Sequence, residues 1–239
     1  MGRPNQPITR SLARMGSWDY WRPAAEGVLE LGTVRGEAVG LPTHFHWEDQ
    51  LTFVLSGRRR FVVGGEVVVL EAGDGTVIPA GMPHRSLSEP DGVLCFNAYV
   101  PPAEYAVTDL MSAIRRLRLE ANHICWEGVA TAIRHHQRGS REIAYDAVAA
   151  PVGCVATVGA IATRLGVSRE GFSRTFVKHH GMPPHAYWLM HRLNKARDLL
   201  RAGQTIADVA FEMGFADQSH LGRWFKRAFG ITPGLYRRA

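Results

Sequence analysis

Two hydrophobic periodicities divide the chain. Between residues 30 and 100 the apolar positions fall in short β-branched runs, LTFVLSG, RRFVVGG, EVVVLEAGDG and TVIPAG, bounded by glycines. Many short strands punctuated this way predict a barrel or sandwich rather than a parallel sheet. Gly64 followed by Gly65 predicts a tight hairpin turn. From Pro101 the period lengthens to three and four, that of a helical stripe. The first such stretch, TDLMSAIRRLRLEANHICWEGVATAIRHHQ, sets Leu110, Ile114, Leu117, Ala121 and Ile124 on one face over about two heptads. That face suits either a two-helix contact with a second subunit or packing on the chain's own strands.

The last third repeats itself. Ile161, Ala162 and Gly166 match Val209, Ala210 and Gly214 at an offset of 48. Phe172, Arg174, Phe176, Gly181, Pro184 and Tyr187 match Leu221, Arg223, Phe225, Gly230, Pro233 and Tyr236 at an offset of 49. Each copy reads as a short helix, a glycine turn and a second helix. Ile161, Ala162 and Leu165 form the first apolar stripe, and Ile206, Val209, Ala210 and Met213 its counterpart. Ser168 is the expected N-cap of the second helix in copy one, and Asp217 or Ser219 in copy two. This is the helix-turn-helix pattern, whose second helix enters the DNA major groove.

On those second helices Arg169, Glu170, Ser173 and Arg174, and in the other copy Gln218, Ser219, Gly222 and Arg223, face outward as candidates to read bases, and His220 is a further DNA-binding candidate. Arginine can grip guanine with two hydrogen bonds, glutamine can do the same to adenine, and glutamate can accept from cytosine. Lys178, Lys226 and Arg227 suit phosphates. The plainer alternatives are a solvated helix face and, for Glu170, an N-terminal charge facing the helix dipole. Residues 185–203, HAYWLMHRLNKARDLLRAG, predict a helical spacer of about 25 Å between the two units.

Charge sharpens this division. The chain of 239 residues carries a net +6; residues 1–155 hold 15 Lys+Arg against 17 Asp+Glu, and residues 156–239 hold 13 against 5. A basic excess confined to one segment attracts polyanions, nucleic acid first. A composition 46% hydrophobic and 21% charged is that of a globular protein, and no apolar run approaches the roughly 20 residues of a membrane span. No membrane partner is expected. The opening residues show no secretory pattern, so a loose tail and a cytoplasmic location are expected. Cys95, Cys125 and Cys154, odd in number and widely spaced, read as reduced, buried thiols.

With these residues in view, the last hundred positions resemble the DNA-binding domain of the AraC/XylS family of transcription regulators. Ile206, Ala207, Val209, Ala210, Gly214, Phe215, Phe225, Lys226, Phe229, Gly230, Pro233, Tyr236 and Arg237 carry the resemblance. It implies that both second helices read DNA, that the long helix joins them, and that the protein dimerises through helices beside a sensor barrel. The segment REIAYDAVAAPVGCVATVG, residues 141–159, departs from the pattern as a ragged first helix. Upstream, Gly73, Pro79, Gly81 and His84 resemble one cupin motif, and His44, His46, Gln50 and Gly57 the other. The expected fold class is therefore α+β: a tail at 1–20, a cupin-like barrel at 21–105, a helical connector at 106–139, and a DNA-binding domain at 140–239.

Three readings compete for the barrel. His44 and His46, two apart on a strand, face the same side, and with His84 they can offer three nitrogens to a divalent metal while leaving positions open. Gln50 stands where metal-binding cupins usually have glutamate, and a neutral amide is a poorer ligand for a divalent cation. The favoured reading is an effector site in which His44, His46, Gln50 and His84 hydrogen-bond a small molecule walled by Phe53, Phe61 and Trp47. A metal-dependent enzyme fused to a DNA-binding region is the alternative, and hydrogen-bonded core histidines without a ligand are the third reading. The expectation is a DNA-binding regulator, not an enzyme, with no cofactor. Its expected partners are promoter DNA, a small-molecule effector and a second copy, with RNA polymerase as a further candidate.

Overall fold

A computed structural model describes residues 16–120, 125–141 and 157–239. Its first part is a folded antiparallel sheet of eight strands. They are β1 (Ser17–Trp21), β2 (Glu30–Gly36), β3 (Leu41–His44), β4 (Asp49–Val63), β5 (Glu66–Glu71), β6 (Gly75–Ile78), β7 (His84–Ser86) and β8 (Val93–Val100). The path runs β1-β2-β8-β4-β7-β3, and β5 and β6 also pair with β4. Ser17–Trp21 falls partly within the tail expected at 1–20, yet it pairs along its whole length with β2; residues 1–15 lie outside the described residues.

Strand β4 organises the barrel. LTFVLSG and RRFVVGG, expected as separate strands, form one strand of 15 residues. Gly57 bends it instead of ending it: its φ is +73°, and a Cβ there would lie 2.3 Å from the Gly92 carbonyl oxygen. The register against β8 slips between Val54 and Ser56. A bulge of this kind reverses which parity of residue faces inward. Gln50, Thr52 and Val54 are thus buried on the side that Arg59 and Phe61 occupy further on. Gly64 and Gly65, with φ of +60° and +90°, make the predicted hairpin, Val63 pairing with Glu66.

Beyond β9 (Ala103–Tyr105) come helices α1 (Val107–Glu120) and α2 (Trp126–His136), then β10 (Gln137–Ser140), which returns to pair with β9. Leu110 and Ile114 are buried in one cluster with Leu51, Phe53 and Phe96, and Leu117 packs against it. Of the two alternatives for this stripe, its described positions Leu110, Ile114 and Leu117 take packing on the chain's own barrel. Ala121, Ile124, Cys154 and most of the ragged segment at 141–159 lie outside the described residues. Cys125 is half-buried and caps α2, its sulfur accepting from the Gly128 N–H at 3.4 Å.

The two helix-turn-helix units follow as α3 (Val158–Arg164) with α4 (Arg169–His180), and α6 (Ile206–Glu212) with α7 (Gln218–Phe229). Between them runs α5 (Pro184–Arg201); α8 (Pro233–Arg237) closes the chain. Ser168 caps α4 as predicted, and Asp217, not Ser219, caps α7 by accepting from the His220 N–H at 2.7 Å. Leu165 was expected in the apolar stripe but is 56% exposed, because α3 stops one residue before it and the chain turns away at Gly166. Among the described residues no helix is long and apolar enough to cross a membrane.

The helices share a core with the barrel. Tyr20, Phe45 and Tyr99 join the cluster built on Leu193, Leu200, Phe225, Phe229 and Tyr236. The carboxyl ends of α4 and α7 meet the barrel at Gly181, beside Pro83, and at Gly230, beside Trp18. Gly230 has φ +76°, and a Cβ would lie 2.4 Å from the Trp18 ring; Gly166 has a similar φ of +68° but open space around it. Gly166→Ala should therefore cost about 1 kcal/mol through backbone strain alone. Gly230→Ala should cost at least twice as much in urea denaturation, and equal costs would refute the Trp18 contact.

Candidate functional site

His44 pairs directly across the sheet with His84, and His46 follows in the loop after β3. Their ligand-capable nitrogens lie within 4.8 Å of one another, as the spacing predicted, and all three side chains are buried. Phe45 between them turns the other way, packing on Tyr187 and His191. His44 Nδ1 lies 2.7 Å from the Pro42 carbonyl and His84 Nδ1 lies 3.0 Å from that of Met82. A carbonyl only accepts, so each Nδ1 carries the hydrogen and each Nε2 keeps its lone pair.

His46 differs. Its Nδ1 lies 3.1 Å from Nη1 of Arg197, on α5. A guanidinium only donates, so His46 Nδ1 accepts and its hydrogen sits on Nε2. A histidine that binds a metal through Nε2 needs the opposite tautomer. With Arg197 seated, the three histidines do not fit a divalent cation. Gln50 is also engaged, its amide donating to Thr52 Oγ1 at 3.0 Å and Asn97 Oδ1 at 3.3 Å.

The proposed aromatic walls separate by strand parity. Phe61 adjoins His84, with ring centroids 6.2 Å apart. Phe53 stacks on Phe96 on the opposite side of β4, beneath α1 and α2, away from the histidines. Trp47 packs toward His191 at the contact between barrel and helices.

Sequence reasoning treated α5 as a spacer and missed what it does at the barrel mouth. Arg197 is 1% exposed and pairs with Glu30 through Nη2 and with Glu48 through Nη1, the latter at 3.4 Å. Its Nε donates to the Tyr236 hydroxyl at 3.1 Å, and that hydroxyl donates to Glu30. The guanidinium carbon lies 4.3 Å from the Tyr99 ring centroid and 5.3 Å from that of Phe229. Arg201 joins at Glu48, and Asn194 donates to the Phe45 carbonyl at 2.9 Å. Burial alone would favour neutral forms, but Glu30, Tyr236 and Glu48 hold Arg197 firmly charged, and the two arginines hold Glu48 below the usual carboxylate range. One signal was available. Arg197 follows Leu193 by four and precedes Leu200 by three, so a charge occupies the buried stripe of its helix.

The outward residues of the second helices are open to solvent. Arg169, Glu170 and Arg174 on α4, and Gln218, Ser219 and Arg223 on α7, are exposed; Ser173 and His220 are half-buried. His220 is turned along its own helix, where Trp224 Nε1 donates to its Nε2 at 3.0 Å. Lys178, Lys226 and Arg227 are exposed near the carboxyl ends of these helices. Lys178 also lines an open cleft of about 790 Å³ that faces Arg85 of the barrel.

The fold and these faces define a β-barrel protein with paired helix-turn-helix units. Residues 31–95 match the cupin domain, and residues 161–239 match a helix-turn-helix domain. That helix-turn-helix domain is of the AraC type, and a cupin domain precedes it in the chain. It is 40% identical over 75 residues to the transcriptional activator RhaS of Escherichia fergusonii, covering 31% of this chain and 27% of that protein. It is 36% identical over 73 residues to the transcriptional regulator MtrA of Neisseria gonorrhoeae, covering 30% of this chain and 24% of that protein. ToxT from Vibrio cholerae, solved with an unsaturated fatty acid bound, matches 93% of this chain and 94% of its own with a TM-score of 0.50. At 11% identity that likeness concerns the fold alone.

The buried histidines make stability depend on pH. Burial, then the neighbouring His84, holds His44 well below its ordinary value; burial, then His44, does the same to His46, and burial brings His84 to about 4. Each is neutral in the fold and takes up a proton near pH 6.5 when unfolded. Their contribution is present above about pH 6.5 and is lost as pH falls toward the folded values, about 3 kcal/mol for His84 alone. Urea midpoints should fall between about pH 7.5 and pH 5, and His84→Gln should flatten that fall. A wild-type midpoint constant over this range would contradict the assignment.

Proposed function

We propose that the protein is a sequence-specific DNA-binding transcription regulator whose barrel binds a small-molecule effector. The observation that carries it is the pair of solvent-facing second helices, which present Arg174 and its repeat equivalent Arg223 while their apolar faces are buried. The basic excess of the same segment supports attraction to a polyanion. Lys178, Lys226 and Arg227 serve as phosphate contacts, and the exposed residues near the amino ends of α4 and α7 as base readers. The proposed partners are promoter DNA and an effector in the barrel, and the proposed compartment is the cytoplasm, where that DNA lies. RNA polymerase and a second copy of the chain complete the proposed set.

A second reading, a metal-dependent enzyme joined to a DNA-binding region, draws on one observation, the convergence of His44, His46 and His84. The tautomer that Arg197 imposes on His46 opposes it. Purified protein should lose its metal on dialysis; stoichiometric metal retained afterwards would move the assignment to this second reading.

DNA reading is tested at Arg223. Arg223→Ala should weaken binding to a selected operator by about 1 to 3 kcal/mol while leaving random DNA nearly unaffected. Lys226→Ala should weaken both alike and lower the salt dependence by about one ion. Equal losses for Arg223→Ala on operator and random DNA would demote that side chain to a phosphate contact.

A further inference from the structure

The barrel mouth is built as a cation cage, and its present occupant belongs to the chain itself. Glu30 and Glu48 are both buried, and among the described residues their ion pairs are made only with Arg197 and Arg201 of α5. The barrel thus brings two carboxylates together at its mouth, and among the described residues the cations that pair with them come from α5. When α5 is not seated, both acceptors are open to another cation that fits the same cage.

The shape of the cage selects a planar one. Arg197 lies against Tyr99 at 4.3 Å while its edge serves His46 Nδ1, the two carboxylates and the Tyr236 hydroxyl. Four acceptors, three from the barrel and the Tyr236 hydroxyl from α8, around a guanidinium lying against a ring match its fork of donors; a tetrahedral ammonium has only three donors, and they are not coplanar. Beside His46, at a ring separation of 5.3 Å, Nε2 of His84 is buried without a hydrogen-bond partner. It leaves a polar position for the rest of a ligand.

We infer that the barrel mouth is a recognition site for a guanidinium or amidinium group, that Arg197 is its tethered occupant, and that the effector carries such a planar cation and displaces Arg197. This rests on the reading of the barrel as an effector module and names the chemical class it takes. Because α5 joins both helix-turn-helix units, an effector that evicts Arg197 releases the helix that positions both reading faces. The shift equals the difference in the effector's affinity for the docked and released arrangements.

The test is chemical rescue in the full-length chain. Arg197→Ala and Arg197→Met are titrated with methylguanidine, and with N-methylurea as the neutral isostere, while the melting midpoint and tryptophan emission are followed. Methylguanidine should saturably stabilise both variants, and should bind wild type at least about tenfold more weakly because the tethered arginine competes at high effective concentration. N-methylurea should do nothing, and Glu30→Gln added to Arg197→Ala should weaken methylguanidine by about tenfold or more. If the variants are unfolded when isolated, methylguanidine should restore their circular dichroism. No saturable response in either variant, an equal response to N-methylurea, or indifference to Glu30→Gln overturns the inference. Any of these would leave the DNA-reading assignment, measured at Arg223, untouched.

Discussion

The contact between Arg197 and Glu30 links everything else in this molecule. It joins the carboxyl-terminal part of α5, the longest of the described helices, to the second strand of the barrel, 167 positions earlier, and both partners are almost fully withdrawn from water. Burying two charges is favourable only when geometry is good and the remaining polar groups are satisfied. Here Tyr236, Glu48, His46 and the face of Tyr99 complete the set. Ion pairs of this kind are poor sources of net stability compared with apolar packing, but breaking one partner away is expensive. Such a contact therefore fixes one arrangement of the two domains more strongly than it stabilises either.

That arrangement has chemical consequences in the barrel. By donating to His46 Nδ1, Arg197 chooses the tautomer of a ring that otherwise matches its two neighbours. His44 and His84 present lone pairs into the same space, and His46 presents a hydrogen. The histidines consequently form a neutral polar lining beneath a cationic lid. The position of the helix domain and the chemistry of the pocket are coupled through a single hydrogen bond.

The exposed residues of α4 and α7 are arranged for a different partner. The apolar residues of α4 and α7 face inward, Phe172 with Phe176 and Leu221 with Phe225, and their carboxyl ends dock on the barrel at Gly181 and Gly230. Their amino-terminal residues stay in solvent while the barrel is docked, so docking does not cover Arg174 or Arg223. Regulation through this interface would thus act on the mutual placement of the two units, held by α5, more than on access to either.

Local rules determined much of this protein. The duplicated pattern of Ile161 with Gly166 and Val209 with Gly214 specified two helix-turn-helix units, because glycine at positive φ and apolar three-four spacing act within a few residues. Gly64-Gly65 and the convergence of His44, His46 and His84 were legible for the same reason. Strand parity misled at Phe53 and Phe61, since the bulge after Val54 exchanges the inner and outer faces of β4, and nothing in LTFVLSGRRRFVV marks where that exchange occurs. The α1 stripe could not declare whether a second chain or its own barrel would cover it; only Leu51, Phe53 and Phe96, more than ten residues away in sequence, decided that. Arg197 is the plainest case. A charge in an apolar stripe announces that a partner must exist, but its identity depends on which distant carboxylates folding brings within reach, and that is a property of tertiary structure alone.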